Sequence, residues 1–119
     1  MDQTEELVKT IVKGLQEKKG KNIVTVDLTR LSGTICQYMI ICEGSTPTQV
    51  SALSDSAWDF AHREAGEKPL SIDGAQRAEW IGMDYGTVLV HIFLPELREF
   101  YNLENLWSDA KVTQIVNLD

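Results

Sequence analysis

Trp80-Ile-Gly-Met-Asp-Tyr-Gly-Thr-Val-Leu-Val-His-Ile-Phe-Leu-Pro95 is the stretch that decides how this chain folds. It contains two strand-like runs, about Glu79 to Asp84 and Thr87 to Leu94, joined by Tyr85-Gly86. A two-residue link with Gly at its second position suits a tight hairpin turn. With Asp84 opposite Thr87, the register pairs Met83 with Val88, Gly82 with Leu89, Ile81 with Val90 and Trp80 with His91. Directly opposed residues share a face. One face is then Ile81, Met83, Val88, Val90 and Ile92, wholly apolar and suited to a core. The other carries Trp80, Gly82, Asp84, Thr87, Leu89, His91 and Phe93. A slip of one residue in pairing would exchange the two sets, so the assignment leans on where the turn falls.

Two readings fit the second face. In one, helices cover it, Trp80 and Phe93 are core, and a hydrogen bond satisfies His91. In the other, part of it is an exposed patch with Trp80 as an anchor, the residue type that dominates interface energetics. Each reading can hold at a different end of the strand.

Outward from the hairpin, Leu7, Val8, Ile11, Val12 and Leu15 recur at helical spacing and predict an amphipathic helix over about Thr4 to Lys19, ended by Gly20. Ile23 to Leu28 alternates as a strand does, and Arg30 to Thr34 turns the chain. Ile35 to Cys42 is nearly all apolar, the pattern of a central strand buried on both faces. Thr46-Pro-Thr-Gln49 places a capping Thr before a first-turn Pro, with Gln three residues on, which predicts a capping box. The helix it opens carries Val50, Leu53, Ala57, Phe60 and Ala61 on one face and stops near Gly66. Leu70 to Asp73 is a short strand turned at Gly74; Pro95 opens a helical turn through Tyr101, and Leu103, Leu106 and Trp107 continue a helical pattern. The order α-β-β-α-β-β-β-α-α predicts an α+β domain, a mixed sheet of about five strands packed with helices. Residues 1–110 form that single domain, and 111–119, which lack a period, are expected as a C-terminal appendage.

The chain's 119 residues suffice for one hydrophobic core without staples, and 43% hydrophobic with 24% charged residues is a soluble composition. No run reaches the roughly 20 apolar residues of a membrane span. The acidic start Met-Asp-Gln-Thr-Glu-Glu is unlike a basic targeting segment, so a cytoplasmic location is expected. A net charge of −7 argues against direct binding to nucleic acid. Lys18, Lys19 and Lys21, the one cationic cluster, suit a helix C-terminus.

Residue chemistry gives little to an enzyme. His62 and His91 are the only histidines, and neither HxxxH nor CxxC spacing occurs, which argues against zinc. Cys36 and Cys42, six residues apart along a strand, would lie roughly 20 Å from one another, too far for a disulfide. Both read as buried thiols rather than activated ones. Gly44-Ser45 before a helix could cradle a phosphate but lacks the Lys and glycines of a P-loop. Asp27, Asp73 and Asp84 sit near strand ends without the close Asp-x-Asp pair that two-metal chemistry draws on. The expected chain has no catalytic, cofactor-binding or metal-binding residues; a nucleotide-binding or nucleotidyltransferase-like enzyme using Gly44, Ser45 and these aspartates is the competing reading.

Tyr38-Met-Ile-Ile-Cys-Glu-Gly-Ser-Thr-Pro-Thr-Gln-Val50, Trp80-Ile-Gly-Met-Asp-Tyr-Gly86, Val90-His-Ile-Phe93 and Arg98-Glu-Phe-Tyr-Asn-Leu-Glu-Asn-Leu-Trp107 together resemble the ribosomal silencing factor family, RsfS, also called Iojap or YbeB. The resemblance runs through all but the last nine residues. It implies a nucleotidyltransferase-like fold without the chemistry, and a non-enzymatic factor that needs no cofactor. Such a factor binds the free large ribosomal subunit through protein fourteen of the universal large-subunit series and blocks joining of the small subunit, lowering translation when nutrients are scarce. A homodimer is also implied as possible. The residues that would meet the partner are Trp80, Met83, Asp84, Tyr85 at the hairpin tip, Gly86, His91, Arg98 and Tyr101, with packing an equal alternative for Arg98 and Tyr101. Gln37 and Thr87 stand where the family usually or often has acids, which weakens a purely electrostatic grip at those two positions.

Overall fold

The computed structural model describes residues 3–31, 33, 36–107 and 109–117. Thr34 and Ile35, where a turn ends and a strand begins in the sequence reading, lie outside these, as do Leu118 and Asp119. The elements are α1 (Gln3–Glu17), β1 (Lys21–Asp27), β2 (Tyr38–Glu43), α2 (Pro47–Ala65), β3 (Ser71–Asp73), β4 (Trp80–Asp84), β5 (Val88–Phe93), α3 (Pro95–Tyr101), a 3-10 turn (Leu103–Asn105) and β6 (Lys111–Gln114). The fold is α+β, as expected, with a six-stranded sheet in the order β3-β4-β5-β2-β1-β6. The sheet is mixed: β2 and β5 run parallel at its centre, and every other pairing is antiparallel. A parallel pair needs a crossover connection, here the passage through α2, β3 and β4.

One sheet face lies under α1 and α2. Leu7, Ile11 and Leu15 of α1 and Val50, Leu53, Ala57 and Ala61 of α2 meet Ile40, Cys42, Ile81, Met83, Val88, Val90 and Ile92. The two helices approach closely because Gly14 has no side chain: a Cβ there would fall 2.8 Å from the Ser56 carbonyl oxygen. The Ser56 hydroxyl donates to the Gly14 carbonyl at 2.7 Å, joining the helices through a buried polar contact.

α2 begins as its sequence demands. The Thr46 hydroxyl accepts from the Gln49 backbone N–H at 3.1 Å, and Pro47 needs no partner for its nitrogen. The return half of the capping box is displaced by one residue, since the Gln49 side-chain oxygen Oε1 accepts from the backbone N–H of Ser45 rather than of Thr46. The Gln49 amide also reaches the carbonyls of Lys18 and Lys19, tying the start of α2 to the end of α1. Gly66, left-handed at φ 67°, closes the helix.

The hairpin register differs from the expected one by two residues. Asp84 pairs with Leu89, Met83 with Val90, Gly82 with His91, Ile81 with Ile92 and Trp80 with Phe93. Tyr85 donates its N–H to the Val88 carbonyl, so the two-residue turn is Gly86-Thr87. Gly86 stands first in it at φ 86°, the position where a primed hairpin turn requires glycine, and its N–H is held by the Asp84 carboxylate at 2.7 Å. Moving the turn by one residue moves the pairing by two. Two is the side-chain period, so both faces survive intact. Ile81, Met83, Val88, Val90 and Ile92 are each at most 1% exposed. Burying such side chains contributes on the order of 1.5–3 kcal/mol each.

Two departures lie at the C-terminal end. Asn102 adopts a left-handed backbone (φ 49°, ψ 48°) and ends α3, leaving one 3-10 turn where a second helix was expected. The segment expected to stand apart supplies β6, which pairs with β1 from Val24↔Gln114 to Asp27↔Lys111 and completes the sheet. All four β6 residues are exposed, so no burial pattern marks the strand in the sequence.

Candidate protein-docking face

The second sheet face is closed at one end and open at the other. Val24, Val26, Leu28, Cys36, Met39, Ile41 and Phe93 form its buried part, over which Leu97, Leu103, Trp107 and Ala110 pack. Towards β4 and β3 the face is partly exposed. The face there consists of Trp80, Gly82 and Asp84 on β4, Leu89 and His91 on β5, and Ser71 and Asp73 on β3, which pair with Asp84 and Gly82. Trp80, Gly82, Asp84, Leu89 and His91 are all half-buried. The face is therefore covered at the Phe93 end and partly exposed at the other.

An aromatic cluster marks the boundary. Trp80 stacks on the fully buried Phe93, with ring centroids 4.9 Å apart, and Tyr101 of α3 lies 4.6 Å from Trp80 on a tilted plane. The Trp80 indole N–H donates to Nδ1 of His91 at 3.1 Å. Such a contact fixes the indole, because Trp has one donor and His91 offers the acceptor in reach. Burial pushes the His91 pKa down to about 4, so the imidazole is neutral near pH 7. Beside it Gly82 leaves a gap: a Cβ placed there would meet nothing within 4 Å except His91 Nδ1, at 3.9 Å. A glycine inside a strand is a signal of close backbone approach, and it gives Gly82, which the sequence pattern places on this face but not among the expected contact residues, a part in its shape.

Three of the expected contact residues sit elsewhere. Met83 belongs to the core face, with its sulfur 3.7 Å from the Ser54 hydroxyl. Tyr85 shares that face because Gly86-Thr87, not Tyr85-Gly86, makes the turn; it is 7% exposed and is not the hairpin tip. Its hydroxyl is a buried polar atom without a hydrogen-bond partner among the described residues, and burial pushes the phenol up to about 12. Arg98 is 7% exposed and acts as a clasp. Nη1 meets Glu43 of β2 at 2.9 Å and the Asn22 carbonyl of β1, while Nη2 and Nε take both oxygens of Glu104 at 2.7 and 3.4 Å. The bidentate fork joins α3 and the following 3-10 turn to the sheet. Of the two residues left open between contact and packing, Arg98 packs, whereas Tyr101 packs on Trp80 and is still 44% exposed. Trp80, Asp84, Gly86, His91 and Tyr101 remain accessible at the open end.

Several of the groups named for chemistry are committed otherwise. Gly44 is buried against Val50, Ser45 is bonded to Gln49, and the Asp27 carboxylate caps Thr29. Cys36 and Cys42 are buried and not joined in a disulfide, and burial pushes the Cys42 thiol to about 12, away from nucleophilic use. Among the described residues no three His, Cys, Asp or Glu side chains gather as metal ligands would.

The family model described as "Ribosomal silencing factor during starvation" matches residues 1–119. The chain belongs to the ribosomal silencing factor family, RsfS. The match takes in the C-terminal strand, so the family pattern extends beyond the resemblance seen in the sequence, which stopped nine residues short. A ribosomal silencing factor RsfS from Chromobacterium violaceum is 35% identical over 90% of this chain and 86% of its own length. One from Haemophilus influenzae is 37% identical over 86% of this chain and 98% of its own. The crystal structure of a Chromobacterium violaceum protein superposes with a TM-score of 0.83 at 33% identity, covering 98% of this chain and 95% of that one. No helix among the described residues of this RsfS family member is long and apolar enough to cross a membrane.

Proposed function

We propose that this RsfS family member acts in the cytoplasm as a steric repressor of translation. It binds the large ribosomal subunit by the open aromatic face and occupies space that the small subunit needs, so that fewer subunits join when nutrients are limiting. The partner on the large subunit is protein fourteen of the universal series, as the family resemblance implies. The observation that carries the proposal is the half-buried pair Trp80 and His91 on the partly exposed end of the sheet face, flanked by the exposed Tyr101 of α3. An anchored Trp amid contacts that exclude water is the usual composition of an interface hot spot. The rim carries Asp73 and Asp84, and with a net charge of −7 the chain favours encounter with a basic protein surface. Blocking needs affinity and bulk, with no cofactor and no turnover. A second copy of the chain on the same face would compete with the ribosome.

Sedimentation with separated ribosomal subunits tests the proposal. Wild-type protein is expected to co-migrate with the large subunit and to reduce formation of joined ribosomes. Gly82→Gln is the informative variant, because open space surrounds that position and a longer side chain would cover the face without disturbing the core. It should keep its fold and lose co-migration. Trp80→Ala should weaken binding by about 2 kcal/mol or more, together with some loss of stability from its contacts with Phe93 and Tyr101. Folded Gly82→Gln that binds as wild type does would rule out this face.

A further inference from the structure

His91 has two ring nitrogens, and the fold uses only one. The Trp80 indole is solely a donor, so the Nδ1 that it meets at 3.1 Å is an acceptor without a proton. In a neutral imidazole the proton then resides on Nε2. Nε2 has no hydrogen-bond partner among the described residues. His91 is only half-buried, and among the described residues the fully buried side-chain nitrogen or oxygen atom without a partner is the Tyr85 hydroxyl. The open face thus presents one N–H donor beside the Trp80 ring and next to the gap at Gly82.

We infer that His91 is a specificity-determining residue of the docking face, and that its partner places a neutral carbonyl oxygen on the Nε2–H. The inference rests on the docking reading above and adds the chemistry that the partner must bring. Docking takes this donor out of water, and an N–H left unpaired in an interface weakens binding substantially. A partner with an apolar group or a second donor at this point is therefore disfavoured. A carboxylate would also accept the proton, but Asp73 and Asp84 occupy the same face and repel it. A main-chain carbonyl or a side-chain amide oxygen meets both conditions. His91 has a second role, since its Nδ1 holds the indole of Trp80 in place.

Two measurements on the full chain decide this. Ring nitrogen NMR of the free protein should show His91 protonated on Nε2 and bare at Nδ1; the opposite tautomer overturns the inference with no variant needed. Binding to purified large subunits is then compared for His91→Leu and His91→Gln. Gln has an oxygen to accept from Trp80 and an amide N–H to point outwards, whereas Leu has neither. His91→Leu should bind about tenfold more weakly or worse, and His91→Gln should recover most of that loss. Equal binding by the two variants, with Gly82→Gln still abolishing it, would sink the role of His91 while leaving the docking face standing. If Gly82→Gln and both His91 variants all bind like wild type, the docking face itself fails.

Discussion

Replacing Tyr85 with Phe should stabilise the protein. The phenol ring lies on the core face with Ile81 and Met83, and its hydroxyl is buried with no partner among the described residues. Burying a hydroxyl without a hydrogen bond costs about 1–3 kcal/mol. Phe keeps the ring and removes only the oxygen, so the void left behind offsets part of the gain, and a net of about 1 kcal/mol is expected. At about 2.1 cal/mol/K of unfolding entropy per residue, a 119-residue domain shifts its Tm by roughly 4 °C per kcal/mol. Calorimetry or urea unfolding at pH 7 measures this directly. Alkaline pH supplies a second reading of the same hydroxyl. Burial holds the phenol at about 12 in the folded chain against 10 ordinarily. Between those values the unfolded chain loses the proton while the folded one keeps it, so wild-type stability falls as pH rises from 10 towards 12. The Phe variant lacks that component, and its advantage should widen across the window by up to about 2.5 kcal/mol. A Tyr85→Phe protein that is less stable by 1 kcal/mol or more, with no widening above pH 10, would show that the hydroxyl has a partner and that the burial argument is wrong.

Other perturbations follow from the same structure. Arg98→Ala strands Glu43 and Glu104 around a half-closed hole and should cost about 3–5 kcal/mol in urea unfolding, far more than loss of the exposed Lys13–Glu64 pair, where about 0–1 kcal/mol is expected. His91 should make the fold acid-sensitive. Its pKa is about 4 when folded against 6.5 ordinarily, so the unfolded chain takes up the proton first as pH falls below 6.5. The associated stability is complete above 6.5 and lost progressively down to about 4, to a total of about 3 kcal/mol, and His91→Gln should remove that part of the acid slope in unfolding measured from pH 7 to 4.

The sequence was legible wherever a local pattern coincided with a physical requirement. Alternation in the hairpin gave both faces, and Thr46-Pro47 with Gln49 gave the start of α2. The turn was misplaced because Gly86 suits either position of a two-residue link. Only the Tyr85 N–H to Val88 bond distinguishes them, and with it the location of Tyr85. β6 left no signal since an edge strand exposed on every residue has no periodicity to read. The partners of Arg98 were beyond reach for another reason: Glu43 and Asn22 lie 55 and 76 residues away, and only the sheet order brings them together. Of the candidate face, Trp80 and His91 could be placed on one side of one hairpin, but their hydrogen bond and the covering by Tyr101 required coordinates. Gly82 was the missed clue, a mid-strand glycine on the side already suspected.

The clasp and the face are one device. Tyr101 covers Trp80 only while α3 lies against the sheet, and α3 is short, seven residues long, without a side-chain cap at its start. A helix of that length has little stability of its own. Arg98 supplies what the helix lacks, joining it to β1, to β2 and to Glu104 from inside the protein. Tyr101 follows three residues later, one turn on, so the position of the guanidinium sets the position of the ring. Arg98 thus works from a buried site, while Tyr101 of the same sequence block is exposed. The charge works inward to hold α3, and the aromatic surface that results works outward. Under the proposed function the contact face gains from being rigid before it meets the partner, because every side chain ordered on binding subtracts from affinity. The Trp80–His91 hydrogen bond and the Arg98 clasp order that face in advance.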